Sequence, residues 1–439
     1  MYVSDSGSTV NIQSEQSAIV AHQAGGDVLL VAYNDLNTSP AKSINGLATS
    51  SVIGSGGTPV TWPTRTLLAP SGPFTVLSGD PWLVASSRKG GTVYYASIGV
   101  TAAGIRAAVA RSDDGGATFG TFVAAPTTPP CSVGVDKESV DTSANGKDVW
   151  VAYRCDNGGP APFSIRLAHS SDQGVSWTDA LVASLPLSDV GVPSPVVKRD
   201  PARETNVFVT WEEDTNTSAR RTIRFAASSD SGTTFGPSTA AVDVPKSPDP
   251  VFDGFTNAVQ NLVHFSFEID PSNDHCIIAY DLNGSVFFKG SADGVSWSAP
   301  TTIASDSTTE RFQPFLRGTP TYLAVSYYAQ PSSGPNVKST VVGGRLSGDH
   351  GATWSAAQHQ LSFVGGGFAT DGFQACAQPG SGFFGDYIGE TPLWAPWQPY
   401  NDTLARRFYS FWADSRPSCI VQSGVTAIHQ HTVGQLWGL

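Results

Sequence analysis

Acidic side chains recur in this chain where extended, apolar segments begin. Glu15, Asp80, Asp136-Lys137-Glu138, Glu268 and Asp386-Tyr387 stand at such starts, and Arg311 and Gln313 mark another. Asp35, Asp156, Glu213-Asp214, Asp281, Asp414 and Arg416 stand near the ends of the segments that follow. Carboxyl groups gathered with a tyrosine, a lysine and an arginine suit cleavage of a glycosidic bond, which needs one acid held protonated and a second kept ionised. Asp386 or Glu138 is the candidate proton donor, Tyr387 the candidate nucleophile or base, and Asp80 a further catalytic candidate. Glu15, Lys137, Glu268, Arg311, Gln313, Asp414 and Arg416 are candidate substrate contacts. The competing reading has the same acids capping strand ends, holding turn amides or binding a channel cation such as calcium.

These residues converge only if the intervening chain brings them together, and its periodicity predicts that it does. An octapeptide of the form Ser-x-Asp-x-Gly-x-Thr/Ser-Trp/Phe recurs, with one copy shortened by a residue, placing aspartates at Asp114, Asp172, Asp230, Asp293 and Asp349. The steps are 58, 58, 63 and 56 residues. The aspartate can accept bonds from amides ahead of it, glycine supplies a positive φ, and the aromatic anchors the turn. These five aspartates therefore read as structural.

Apolar runs such as Val28–Asn34, Val149–Arg154, Val207–Glu212 and Phe408–Asp414 share the period, each preceded by a shorter strand. Seven units result, starting near residues 15, 80, 138, 194, 267, 313 and 386. Four-stranded meanders of this size bury their faces only against neighbours. The expected fold is all-β: one domain over residues 1–439, a seven-bladed β-propeller of four-stranded antiparallel blades. Thr426 to His431 supply a late strand, and the segment from Val3 to Ile12 is expected to pair with it and close the ring. Strand direction then places the starts of the inner strands on one face and the octapeptide turns on the opposite rim.

The octapeptide resembles the Asp-box, or BNR repeat, of sialidase-like propellers. Phe384-Gly385-Asp386-Tyr387-Ile388-Gly389 and Phe411-Trp412-Ala413-Asp414-Ser415-Arg416 resemble the closing blade of secreted bacterial proteins of that type. The resemblance implies architecture rather than one chemistry. Sialidases carry a first substrate-clamping arginine in a Phe/Tyr-Arg-Ile-Pro motif, whereas before position 100 this chain has only Arg65 and Arg88, in other contexts. Seven units also exceed the six blades typical of sialidases. The expectation is a glycoside hydrolase-like propeller acting on an extracellular glycan, with a non-catalytic lectin or adhesion module and a polysaccharide lyase as alternatives.

Composition narrows the partners. Among 439 residues, 45 glycines, 30 prolines, 11 tryptophans and one methionine argue against helical bundles and coiled coils. A net charge of −12 without a basic stripe argues against nucleic acid, and no apolar run reaches the roughly 18 residues of a membrane span. Of five cysteines, Cys131 with Cys155 and Cys376 with Cys419 flank extended segments and are expected to pair, while Cys276 in an apolar run reads as a buried thiol. Two bridges imply an oxidising compartment, and the start of the chain lacks a secretory leader. The chain therefore reads as a mature secreted or cell-surface monomer needing no cofactor. In the Pro-rich stretch Thr391–Tyr400, Trp394, Trp397 and Tyr400 either stack on sugar or plug the channel end opposite the site.

Overall fold

The computed structural model describes residues 11–35, 43–54, 61–87, 91–126, 131–158, 163–185, 195–214, 220–245, 264–332, 340–362, 377–378, 381–382, 388–397, 401–414, 419–422 and 425–438. They form a seven-bladed β-propeller of four-stranded antiparallel sheets. The inner strands are Asn11–Gln23, Phe74–Ala85, Gly134–Thr142, Val196–Arg199, Phe265–Ile269, Thr309–Gly318 and Gly389–Pro392, in blades 1 to 7. Blade 7 is completed across the ends of the chain: Asn11 and Ile12 pair in parallel with His429 and Gln430 of the strand Val425–Gly438. The expected ring closure is thus formed by the part of the N-terminal segment that is described.

Because strands alternate their faces, each blade has two apolar faces, and the core divides into seven clusters, each shared by adjacent blades. Leu30, Tyr95 and Phe122 belong to the cluster between blades 1 and 2. Trp150 and Trp211 lie between blades 3 and 4, and Phe408, Trp412 and Trp437 join blade 7 to blade 6. Tyr33, Trp62 and Phe411 join blade 7 to blade 1. No single blade covers its own hydrophobic surface, so the ring is the unit that folds.

The recurring octapeptides link third to fourth strands in blades 2 to 6. In blade 2, Asp114 Oδ1 accepts from Ser112 Oγ at 2.7 Å and from the Thr118 amide at 2.9 Å, and its Oδ2 accepts from the Thr118 hydroxyl at 2.6 Å. The same bonds recur about Asp172, Asp230 and Asp349, while Asp293 bonds the nearer amides of Val295 and Ser296. Hydrogen bonds from the turn hydroxyls and amides bring the Asp172 and Asp230 carboxyls down to about 2. The turn glycines sit against the preceding blade. A Cβ on Gly351, whose φ is +86°, would lie 2.2 Å from the ring of Phe288, and one on Gly232 would lie 2.3 Å from Leu167.

The expected disulfide Cys131–Cys155 is present, ties the lead-in of blade 3 to its second strand, and has a Cα–Cα distance of 5.4 Å. Cys276 is a buried free thiol, pushed by burial up to about 12. Cys376 lies outside the described residues, as does the expected pairing with Cys419.

The glycine contacts yield a stability prediction. Gly351→Ala places a methyl inside the blade 5–6 interface and strains the backbone, and should lower unfolding free energy by roughly 2–4 kcal/mol. Gly236→Ala is the control, since its nearest neighbour would be a carbonyl oxygen 4.0 Å away. A shift of the urea midpoint in the first variant and none in the second is the expected result.

Candidate active site

Four inner strands break their pairing at the same level. Register shifts leave Glu15-Gln16 opposite Tyr33, Asp80-Pro81 opposite Ser97, Lys137-Glu138 opposite Tyr153, and Gln313-Pro314 opposite Tyr327. The first residue of every pair is left-handed: φ is 55° at Glu15, 52° at Asp80, 54° at Lys137 and 49° at Gln313. Non-glycine residues adopt this conformation at a cost of about 1–3 kcal/mol each, and such bulges re-aim side chains beside functional sites. Blade 5 has no such break among its described pairs.

The bulges of blades 1, 2 and 3 bring four predicted residues into one cluster. Lys137 Nζ lies 3.2 Å from Asp80 Oδ2 and 3.8 Å from Glu15 Oε1. Glu15 and Asp80 thus stand against the same ammonium group. Asn34, at the end of the second strand of blade 1, donates through Nδ2 to Glu15 and accepts through Oδ1 from the Asp80 amide at 3.0 Å. Burial pushes the Asp80 carboxyl up, but the charge of Lys137 and the bonds from Glu15, Lys137 and Asn34 overcome it and hold Asp80 below its ordinary value.

Glu138, the second residue of its bulge, behaves oppositely. It is 4% exposed, and among the described residues neither carboxylate oxygen meets a hydrogen-bond donor at normal geometry. Burial first, and then the Asp80 charge, drive its carboxyl well above the ordinary range. The two acids are thus shifted in opposite directions, Asp80 down and Glu138 up.

The other candidates sit elsewhere. Gln313 occupies the blade 6 bulge, its amide donating to Asp281 Oδ2 at 2.9 Å, while Asp281 also accepts from the amide of His264 at 2.9 Å and lies 3.1 Å from its Nδ1. Arg311 is buried and pairs with Asp306 in the turn before its strand. Glu268 departs from expectation: it does not join Asp80. Ser17, Ser139 and Ser266 occupy one level of the ring, each accepting from an amide of the next blade, so Glu268 stands two residues further along its strand, toward the other mouth. There it pairs with Lys198 at 3.0 Å and Arg317 at 2.9 Å. Asp386, Tyr387 and Arg416 lie outside the described residues, and Asp414 ends the second strand of blade 7.

Sequence reasoning passed over Asn34, Lys198, Arg317 and Glu390. Asn34 was legible in the alignment of Tyr33-Asn34 with Tyr153-Arg154, since both pairs face a bulge. Glu390 is fully buried, accepts from Ser410 Oγ at 2.7 Å and is pushed by burial to about 7, against the hydrogen bonds of Ser410 and Ser326 and the Arg317 charge. Among the described residues, no three His, Cys, Asp or Glu side chains are grouped to hold a metal ion, and no helix is long and apolar enough to cross a membrane.

No family model matches the chain, and no curated protein matches it. Solved structures do. The BP39L lectin from Burkholderia pseudomallei superimposes with a TM-score of 0.52 at 12% identity, over 92% of this chain and 93% of the lectin. The α-L-arabinofuranosidase of Fusarium graminearum gives 0.47 at 14% identity, over 74% and 91%. The α-L-arabinanase of Penicillium chrysogenum gives 0.44 at 11%, over 98% and 97%. At these identities the likeness speaks to the propeller fold alone.

Glu390 supplies a pH prediction. A carboxyl raised in the folded state contributes stability that is complete below its unfolded pKa and is lost as pH rises through the folded value. The window therefore runs from about 4.5 to about 7. Over it wild type should lose on the order of 3 kcal/mol more than Glu390→Gln, as read from urea unfolding at a series of pH values.

Proposed function

We propose that the protein is a carbohydrate-active enzyme that hydrolyses a glycosidic bond at the channel mouth formed by blades 1, 2 and 3. The observation that carries this reading is the convergence of bulged acids on one ammonium group: Lys137 lies 3.2 Å from Asp80 and holds it below its ordinary value, while Glu138, 4% exposed on the same bulge as Lys137, is pushed well above its own by burial. Glu138 is the proton donor to the departing sugar oxygen. Asp80 faces the developing positive charge at the sugar carbon, or directs water to it. Lys137 and Asn34 position Asp80, and both also meet Glu15. The disulfide Cys131–Cys155 supports an oxidising compartment and hence an extracellular glycan as substrate.

Release of reducing ends from a panel of neutral and acidic glycans tests the assignment. Glu138→Gln and Asp80→Asn should each lower kcat about 100-fold or more while glycan binding persists. Activity should fall with acid as Asp80 takes up a proton and with alkali as Glu138 loses one. Lys137→Met should move the acid limb to higher pH by removing the cation that depresses Asp80. Binding without turnover on every glycan would leave a lectin, and unsaturated products would indicate a lyase. Either outcome overturns the hydrolase assignment.

A further inference from the structure

The far mouth of the channel holds a cavity of about 270 Å³ with chemistry unlike that of the acidic cluster. Trp82, Trp394 and Trp397 line it, together with Lys198, Arg199, Arg317 and Glu268. The two loop tryptophans are half-buried against the blade 7–1 core, and Trp397 Nε1 donates to Asp27 at 3.1 Å. Both tryptophans are thus held in the cavity wall, while Tyr400 lies outside the described residues.

Its charge is the informative feature. Three cations and one carboxylate face the same space in a chain whose net charge is −12. Glu268 stands between Lys198 and Arg317, which come from the blades on either side. The Arg317 guanidinium rests 4.5 Å from the centre of the Phe315 ring and is held in place by it. Arg199 bonds the Thr142 carbonyl at 2.7 Å and lies 3.8 Å from Glu204, which is outside the lining. Setting Glu204 against Arg199 and Glu268 against Lys198 and Arg317 together leaves one positive charge, and walls of low dielectric focus its field on the cavity. Indole faces receive the C–H face of a sugar ring, and cations receive a carboxylate. The volume falls just under the roughly 300–1,000 Å³ of ordinary small-ligand pockets, which suits one sugar unit rather than a chain.

We propose that this cavity is a second binding site, separate from the acidic cluster, that takes a single acidic sugar residue of the uronic acid class. The tryptophans face the ring, while Lys198 and Arg317 share their charge between Glu268 and the ligand carboxylate. The site stands whether or not the opposite mouth hydrolyses anything.

Calorimetric titration of the intact protein with D-galacturonate and with D-galactose tests it, because the two probes differ only in the carboxylate. Galacturonate is expected to bind at least tenfold more tightly, and Trp394→Leu and Lys198→Gln should each weaken it about tenfold. Glu138→Gln, at the other mouth, should leave this binding unchanged. Equal affinity for the two sugars, or no binding of either, overturns the proposal in wild type alone, so it does not depend on either variant folding. Displacement by inorganic phosphate at the galacturonate concentration would reduce the site to a general anion pocket, and loss of binding in Glu138→Gln would relocate it. Both results reject it.

Discussion

Beyond the pairing at Asn11 and Ile12, the described inner strands have one edge without a strand partner, and the amides on that edge need acceptors. The preceding blade supplies them. Ser17 accepts from Leu83, Ser139 from Val197 and Ser266 from Leu316, at 2.9 to 3.0 Å. Asn34 and Asp281 do the same for the bulge amides of Asp80 and Gln313. A buried amide left without a partner costs about 1–3 kcal/mol, so blades 2, 4 and 6 are completed by their predecessors in hydrogen bonding as well as in apolar contact. The apolar clusters supply the energy of closure, and these side-chain acceptors fix the angle and height at which one blade meets the next.

The same acceptors hold the strain of the site. A left-handed backbone at Glu15, Asp80 and Lys137 persists only where surrounding bonds over-determine it, and Asn34 joins two of the three bulges. Burying two carboxyls against one ammonium is poor design for stability alone, since apolar side chains of similar size serve as well or better. Glu138 adds a buried acid next to them. Three left-handed residues and a buried carboxyl in one small volume are costly for fold alone, and that cost is the ground for the proton-transfer role proposed for this cluster.

Much of this was readable in the sequence. The octapeptide fixed the period, because a turn held by an Asp, a Gly and an aromatic at constant spacing states its own geometry. Counting from those turns put Glu15, Asp80 and Lys137-Glu138 near one end of adjacent strands, and they meet there. Glu268 was misplaced because blade 5 shows, among its described pairs, no bulge of the kind that sets the count in blades 1, 2, 3 and 6, and its acid lies further down the strand. Lys198, Arg317 and Glu390 were invisible for a related reason: single charged residues in short strands carry no local pattern, and their partners come from other blades. Which acid is protonated depends on burial and on the position of Lys137, and neither is written in the spacing.

The two mouths stay chemically distinct because they are built from different levels of the same strands. From the Gln313 bulge to Arg317 is four residues of extended chain, roughly 13 Å. In blades 2 and 3 the cavity lining begins nearer, at Trp82 and Val140, but its cations Lys198, Arg199 and Arg317 come from blades 4 and 6. Alternation along the strand then assigns which residues face the channel, and the shared direction of all seven inner strands puts every start at one mouth and every end at the other. A propeller of this kind can change the chemistry at one end by substituting the bulged residues, leaving the far end and the turns that staple the rim as they were.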